Sequence, residues 1–455
     1  MSTLSALQTR DISHHLHPYT NAVKHRQVGP RVIERGEGIY VYDDQGRKYI
    51  EGMAGLWSVA VGFNEQRLVD AATRQMAKLP FYHTFSHKTH TPSVELAEKL
   101  VQLTQGRMHA AFFTNSGSEA NDTVIKMVWY YNNALGRKQK KKIIARAKGY
   151  HGVTVASASL TGLAPNHGGF DLPLPRMKHV SCPHFYREGR AGETEEAFAT
   201  RMADELEALI QREGPDTVAA FIGEPVMGAG GVIVPPETYW QKIQAVCRKN
   251  DILVIADEVI TGFGRLGTMF GSEKFGIEPD IMVLSKQITS SYLPLAAVLL
   301  NETVHSVIAN YSGELGTFGH GYTASGHPVA TAVALENIRI IEEKKLVENA
   351  ARMGQVLQAS LHALGDHPLV GEVRGTGLIA AVELVADKAS RKPFDPPGRL
   401  GAAIFERAHE HGLIVRGIQD SIAFCPPLII NEAQVKDMVG RFADTLEDVS
   451  KAAGR

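Results

Sequence analysis

Three apolar runs in the middle of the chain constrain the fold most: Val218-Ala-Ala-Phe-Ile222, Ile252-Leu-Val-Ile-Ala256 and Ile281-Met-Val-Leu284. None alternates apolar with polar residues. Continuous apolarity marks a strand buried on both faces, as in a parallel sheet covered by helices. Between the first two runs, Pro235-Pro236 opens a helical stretch in which Tyr239, Ile243, Val246 and Cys247 share one stripe. Strand, helix and strand in that order form a βαβ unit, and the class is α/β.

The flanking sequence adds a second region. Gly38 to Tyr42 alternates like a strand, Asp43-Asp44-Gln45-Gly46 is a turn, and Arg47 to Ile50 returns, which predicts a β-hairpin. Residues 1–35 are polar and His-rich and are expected to wrap over the surface. Ala110 to Thr114 is a strand candidate, followed by a helix with Val124, Met127, Val128 and Tyr131 on one face. A helical segment at Ala330 to Glu343 leads into amphipathic helices, with short strands at Gly377 to Leu384 and Leu413 to Arg416. The reading is an N-terminal segment (1–60) that packs with a smaller α+β domain (330–455), and a large domain (61–329) between them.

Composition narrows the function. The 455 residues are 44% apolar and 21% charged, which supplies a sizeable core and excludes wholesale disorder. Lys plus Arg number 48 and Asp plus Glu 49, a net charge of −1, so a whole-surface basic field for nucleic acid or anionic membrane is excluded. Cys182, Cys247 and Cys425 are odd in number, far apart and without a CxxC pattern. They suit free thiols in a reducing cytoplasm better than a disulfide scaffold or a zinc site. Residues 1–18 lack the apolar stretch of a secretory signal, and no run reaches the ~20 residues of a membrane span. A cytoplasmic protein with no membrane or nucleic-acid partner is expected.

The chemistry is expected where the buried runs end. Glu224, Asp257 with Glu258, and Lys286 each follow one of them. In open α/β sheets the ligand crevice lies at the carboxyl ends of the strands. An amine desolvated there has a lowered pKa and can act as a nucleophile or Schiff-base former. A second candidate, Thr114-Asn-Ser-Gly-Ser-Glu-Ala-Asn121, lies between a strand and a helix. Small residues there let backbone N–H groups approach a phosphate. Ordinary N-capping by Asn115 or Ser116, with Glu119 completing a capping box, explains the same residues. In Lys148-Gly-Tyr-His-Gly152 an aromatic ring could stack on a flat cofactor or sit in the core. Other motifs are weaker. Gly319 to Ala324 and Gly375 to Ala380 fit a loose GxGxxA, but a dinucleotide site needs a strand before and a helix after. The basic run Arg137 to Lys142 has no interleaved aromatics and reads as a solvated connection. His83, His87 and His90 fall at helical spacing without a nearby Cys or carboxylate, so no metal is expected there.

Together these features resemble the class III aminotransferases, which use pyridoxal 5′-phosphate (PLP) on the fold-type I scaffold. The resemblance is carried by Asn115-Ser-Gly-Ser-Glu-Ala120, Gly149-Tyr-His-Gly152, Gly223-Glu-Pro225 with Gly230-Gly231, Ala256-Asp-Glu-Val259 with Gly262-Phe-Gly-Arg265, Lys286, and Thr323-Ala-Ser-Gly-His-Pro328. Ala54-Gly-Leu-Trp57, Pro80-Phe-Tyr82 and Arg416 make it most similar to the ω-amine:pyruvate group. The resemblance implies that Lys286 holds the cofactor covalently and moves the proton, and that Asp257 pairs with the pyridine nitrogen. It implies that Gly117 and Ser118 bind the phosphate, that Tyr150 stacks on the ring with Val259 opposite, and that Glu224 joins the Asp257 network. Thr323 is implied to reach the phosphate of a neighbouring subunit, in a homodimer or dimer-based tetramer. Trp57, Phe85, Tyr150 and Arg416 are the implied substrate contacts, with Arg416 swinging in for the carboxylate of a keto acid and out for an uncharged amine. Trp57 and Phe85, with Phe81 and Tyr82, could equally be interface core.

Two positions depart from the family pattern. Gln287 follows the lysine where a small residue is usual, and Ile260 follows Asp-Glu-Val where relatives acting on γ- or δ-amino acids often carry Gln. The second argues against a γ-aminobutyrate or ornithine substrate. The expected activity is transfer of an amino group from an ω-amine or ω-amino acid to pyruvate, giving alanine. An aminomutase or racemase on the same fold is the alternative. A dinucleotide-dependent oxidoreductase and a catalytically dead binding protein are disfavoured by the motif contexts and by the presence of Lys286 and Asp257.

Overall fold

A computed structural model describes residues 4–452. Three sheets organise it. In the first, strands β1 (Ile33–Glu37), β2 (Tyr40–Asp43) and β3 (Lys48–Glu51) form an antiparallel meander. The expected hairpin is β2–β3. Asp43 closes its turn: Oδ1 accepts from the N–H groups of Gln45 and Arg47, and Oδ2 from the Tyr49 hydroxyl.

The second sheet is the large one. Its strands are β4 (Ala110–Thr114), β5 (Lys142–Arg146), β6 (Met177–Val180), β7 (Val218–Gly223), β8 (Leu253–Asp257), β9 (Ile281–Leu284) and β10 (Ala296–Leu300). Their order is β4-β10-β9-β8-β7-β5-β6, parallel except for β10, which runs antiparallel to both of its neighbours. The three apolar runs are the adjacent strands β7, β8 and β9. Every residue of β7 and β9 is buried. One face packs on helix Gly117–Ala134 through Val124 and Val128; the other packs on Glu195–Glu213 and Tyr239–Lys249 through Leu206, Trp240 and Ile243. The helix after Pro235-Pro236 begins at Tyr239, and its stripe buries Tyr239, Ile243 and Cys247.

The third sheet joins β11 (Val370–Thr376), β12 (Ile379–Leu384), β14 (Arg416–Ile418) and β15 (Ser421–Phe424) in the antiparallel order β11-β12-β15-β14. The single strand expected at Leu413 to Arg416 is divided. β13 (Leu413–Ile414) pairs with β3 in the first sheet, and β14 begins at Arg416 in the third. The chain therefore changes sheets at Val415, and N- and C-terminal segments share a ladder. Gly377 turns β11 into β12 at φ +57°, where a Cβ would lie 2.5 Å from the Leu266 backbone. That GxGxxA match is therefore a hairpin, and the one at Gly319 to Ala324 lies outside helix and strand.

Other expectations are refined by the same contacts. His83 and His87 lie outside any helix and His90 caps helix Thr91–Leu103, so the three share no helical face. The basic run is neutralised locally. Arg137 pairs with Asp251, Lys142 with Glu213, and Lys140 is buried against the carbonyls of Pro215 and Asn250. Among the described residues, no helix is long and apolar enough to cross a membrane.

Phe221 is fully buried in β7 and meets Trp240 edge-on, at 6.2 Å between ring centres. Removing its ring leaves a cavity between sheet and helix. Phe221→Ala should cost ~3–5 kcal/mol of stability. A urea melt should show a lowered midpoint, and an unchanged midpoint would place this packing outside the cooperative core.

Candidate active site

The strand order decides which side chains meet. Asp257 is the last residue of β8; Glu224 follows β7 on one side, and Lys286 lies two residues past β9 on the other. Because the three strands are parallel neighbours in register, their carboxyl ends are level. All three residues line one cavity of about 550 Å³, with Trp57, Gly117, Ser118, Tyr150, Val259 and Arg416.

Asp257 is held from three directions. Oδ2 accepts from His151 Nδ1 at 2.8 Å and from Asn121 Nδ2 at 3.0 Å, while Oδ1 accepts from the Val259 N–H at 3.2 Å. Asn121 also donates to the His151 carbonyl at 2.7 Å, so the two holders brace each other. Neither holder was assigned a role from sequence. The available signal for Asn121 was its place one helical turn beyond Gly117 and Ser118. His151 was visible only as the neighbour of Tyr150. Glu258, the next residue along, points its carboxylate elsewhere. It accepts from Thr261 Oγ1, the Gly271 N–H and both the N–H and hydroxyl of Ser272, which makes it a structural anchor.

Glu224 is buried, and its two oxygens accept from the N–H groups of Tyr150 and Gly228. Burial raises its pKa. Burial also pushes the Lys286 amine down to about 8, against the pull of the Asp257 and Glu224 carboxylates. The turn that presents Lys286 is tightly fixed. Lys286 has φ +48°, and Ser290 and Ser291 are also left-handed. Non-Gly residues in that region cost energy and persist where the surroundings over-determine them. Here Asn337 Nδ2 donates to the carbonyls of Gln287 and Ile288, and Ser290 Oγ accepts from the N–H groups of Ala60 and Val61. Gln287 earns its size: Nε2 donates to the carbonyls of Ile260 and Gly262, and Oε1 accepts from Arg265 Nη2. A small residue would leave these buried groups unpaired.

The other end of the cavity is a helix start. Ser116 caps helix Gly117–Ala134 by accepting from the Glu119 N–H. Glu119 reaches back to the N–H of Asn115 instead of Ser116, so the capping box is displaced by one residue. Gly117 and Ser118 are the first two helical residues, whose N–H groups have no acceptor within the helix. A Cβ on Gly117 would lie 3.3 Å from Val259 Cγ2. Gly152, at φ +136°, has no room for one: it would meet Ser118 Oγ at 2.7 Å.

Arg416, at the start of β14, lines the cavity and lies near the Tyr150 and Tyr19 hydroxyls. It has no ion pair among the described residues. The nearby Asp420 is engaged elsewhere: it accepts from the N–H groups of Gly398, Leu400 and Gly401. Trp57 is buried and lines the cavity with Leu56. Tyr19, from the N-terminal segment, also lines it; its hydroxyl accepts from Asn166 at 2.6 Å. Phe85 and Thr323 are exposed and lie outside this cavity in the same chain. Phe85 lines a separate open cavity with Phe113, His320 and Gly321.

An amine beside a carboxylate, with a helix N-terminus in the same cavity, suits a phosphorylated pyridine aldehyde. A carboxylate, an amine and unpaired backbone N–H groups are the group types that would suit its ring nitrogen, carbonyl carbon and phosphate. His151 and Asn121 both line the cavity, and His151 Nε2 and Asn121 Oδ1 are buried without a partner. The fold and site thus define a PLP enzyme of fold-type I.

The family model "Aminotransferase class-III" matches residues 20–446. The chain belongs to the class III aminotransferases and is a transaminase with PLP as cofactor. It is similar to the solved omega transaminase from Pseudomonas jessenii in complex with PMP, at 65% identity and a TM-score of 0.98, covering 99% of each chain. A thermostable omega transaminase variant changed at one Trp, one Phe and one Arg, engineered for asymmetric synthesis of enantiopure bulky amines, matches at 64% identity and TM-score 0.97, over 98% of this chain and all of that one. Among curated proteins it is 52% identical to gamma aminobutyrate transaminase 1, mitochondrial, of Solanum lycopersicum, over 96% of this chain and 85% of that one.

The environment of Lys286 makes a pH prediction. Cofactor-free protein labelled with an amine-directed reagent should modify Lys286 with a half-maximal rate near pH 8, about two units below an ordinary lysine. In Asp257→Asn one attracting charge is gone, the ammonium loses support, and the midpoint should fall further. A midpoint near 10 in both proteins would contradict a desolvated amine.

Proposed function

We propose that this transaminase moves an amino group from an ω-amine or ω-amino acid to pyruvate, in two half-reactions at the Lys286 cavity. The observation that carries the reading is the pairing of Lys286 and Asp257 at the ends of adjacent strands, with an unpaired Arg416 lining the same cavity. PLP, when bound, supplies the electron sink for the pair left on the substrate carbon. Lys286 would hold it covalently, then take the proton from the substrate carbon as general base and deliver it to the cofactor carbon as acid, leaving the substrate to depart as a carbonyl compound. Asp257 keeps a proton on the ring nitrogen, and His151 and Asn121 fix its carboxylate for that task. Gly117 and Ser118 bind the phosphate through their N–H groups, Tyr150 and Val259 confine the ring, and Glu224 steadies Tyr150. Trp57 shapes the amine pocket.

Phe85 and Thr323 act from a second copy of the chain, Thr323 on the phosphate and Phe85 on the substrate, so the active unit is a homodimer or a dimer of dimers. Exposed Phe81, Tyr82 and Phe85 give that dimer an apolar contact. The Trp, Phe and Arg changed in the engineered transaminase follow the chain order of Trp57, Phe85 and Arg416, which supports all three as substrate contacts. The N-terminal segment to residue 60 and the chain from 330 form the smaller domain, and residues 61–329 the larger. The three buried free cysteines fit a cytoplasmic location.

The curated relatives make γ-aminobutyrate a second donor to test. Ile260 weighs against it, being buried and apolar where it lines the cavity, with nothing to offer a polar group. An aminomutase or racemase would use the same residues without an acceptor.

A panel of amines, γ-aminobutyrate included, with and without pyruvate decides among these. Alanine should appear, and amine should be consumed only when pyruvate is present. Arg416→Ala should then separate the halves. Losing a charge-assisted hydrogen bond of ~1.5–3 kcal/mol should lower kcat/KM for pyruvate by roughly 10–150-fold. The half-reaction of a carboxylate-free amine should change little. Equal losses in both halves would make Arg416 structural.

A further inference from the structure

Helices Ala6–His14 and Ala22–Val28 bury no residue, although Leu7, Leu16, Val23 and Val28 belong to this segment and all are exposed. The segment has no apolar core of its own. What holds it together is polar. Asp11 stands at the centre, and three histidines converge on its carboxylate. His17 Nε2 lies 3.0 and 2.9 Å from the two oxygens, His25 Nε2 lies 3.0 Å from Oδ2, and His15 Nδ1 lies 3.4 Å from Oδ1. The rings are 4.2 Å apart for His15 and His17, and 4.4 Å for His17 and His25.

We propose that Asp11, His15 and His17, backed by His25, form a binding site for a divalent transition metal, with zinc the best fit. Zinc takes imidazole nitrogen and carboxylate oxygen at ~2.0–2.2 Å in a tetrahedron, whose edges are then about 3.3 Å. The His-to-Asp11 spacings of 2.9, 3.0 and 3.4 Å lie near that edge. The ligand atoms of Asp11, His15 and His17 all lie within 4.8 Å of one another. His25 stands behind the set and orients the carboxylate through Oδ2, at 3.0 Å. Small units without a core are commonly stapled by a metal. The contrast with the other cluster of this kind is chemical. At His184, Glu372 and Glu383 the cation's place is taken by Arg374, whose Nη1 donates to both carboxylates at 2.7 Å.

The site has a consequence for the reaction. His17 and His25 bracket Pro18 and Tyr19, which line the Lys286 cavity. A metal held by His17 and by Asp11, whose carboxylate His25 orients, ties both ends of this loop to one point, with Tyr19 beside Asn166 and Tyr150. The metal therefore acts as a structural fastener for one wall of the substrate pocket.

Equilibrium dialysis of the PLP-loaded enzyme against zinc chloride, after EDTA treatment, tests this directly. One zinc per chain should bind in the wild type and in His184→Ala. It should be lost in Asp11→Asn/His17→Ala, and His25→Gln should weaken it by about 10–100-fold, as for an orienting partner. Trypsin gives the second readout, because Lys24 and Arg26 are exposed. Zinc should slow cleavage there in the wild type and have no effect in the double variant. Absence of tight zinc in the wild type overturns the proposal. So does zinc retained by the Asp11 double variant, or zinc lost in His184→Ala alone. Thermal melts of each variant show that it is folded, so a lost site can be told from a lost structure.

Discussion

The carboxylate of Asp257 ends a strand that is buried on both faces, and the rest of the site depends on where that strand ends. Placing a charge there costs desolvation unless donors meet it. His151, Asn121 and the Val259 N–H supply them. Each comes from a different part of the chain, so the large sheet and its first helix must be assembled before the carboxylate is satisfied. The parallel register then sets the neighbours. Glu224 and Lys286 flank Asp257 because β7 and β9 flank β8, not because of any local sequence relation.

Lys286 shows the reverse economy. Its backbone is left-handed and its amine is drawn from water, and both features are unfavourable in isolation. The surroundings compensate through Asn337, Ser290 and the Gln287 side chain. Gln287, unusual against the family pattern, also serves the fully buried Arg265, whose remaining partners are the Leu378 and Pro426 carbonyls. The departure is therefore a local packing solution that ties the lysine turn to the third sheet through Arg265.

What could be read from the sequence follows from burial. β7, β8 and β9 announce themselves because both faces are covered, which forces unbroken apolar runs, and their terminal Glu224, Asp257 and Lys286 stand out against that background. β1 gave no such signal: Ile-Glu-Arg-Gly-Glu has one apolar residue, and it pairs at an exposed edge through its backbone and the stacking of Arg35 on Tyr42. The division at Val415 was also hidden, because a short apolar strand does not say which sheet it joins. Asn121 and His151 could not be tied to Asp257, since the contacts span 136 and 106 residues. Phe85 and Thr323 resemble site residues of the family yet lie outside the cavity within one chain.

The central claim is that sheet topology brings Lys286, alone among the lysines, to the carboxyl-end rim beside Asp257. Borohydride reduction of the PLP-loaded enzyme, followed by peptide mapping, tests it most directly. The account predicts that the cofactor label is found on the peptide carrying Lys286 and nowhere else. A label on any other lysine would contradict it, because no other amine would then need the strand order that organises this site.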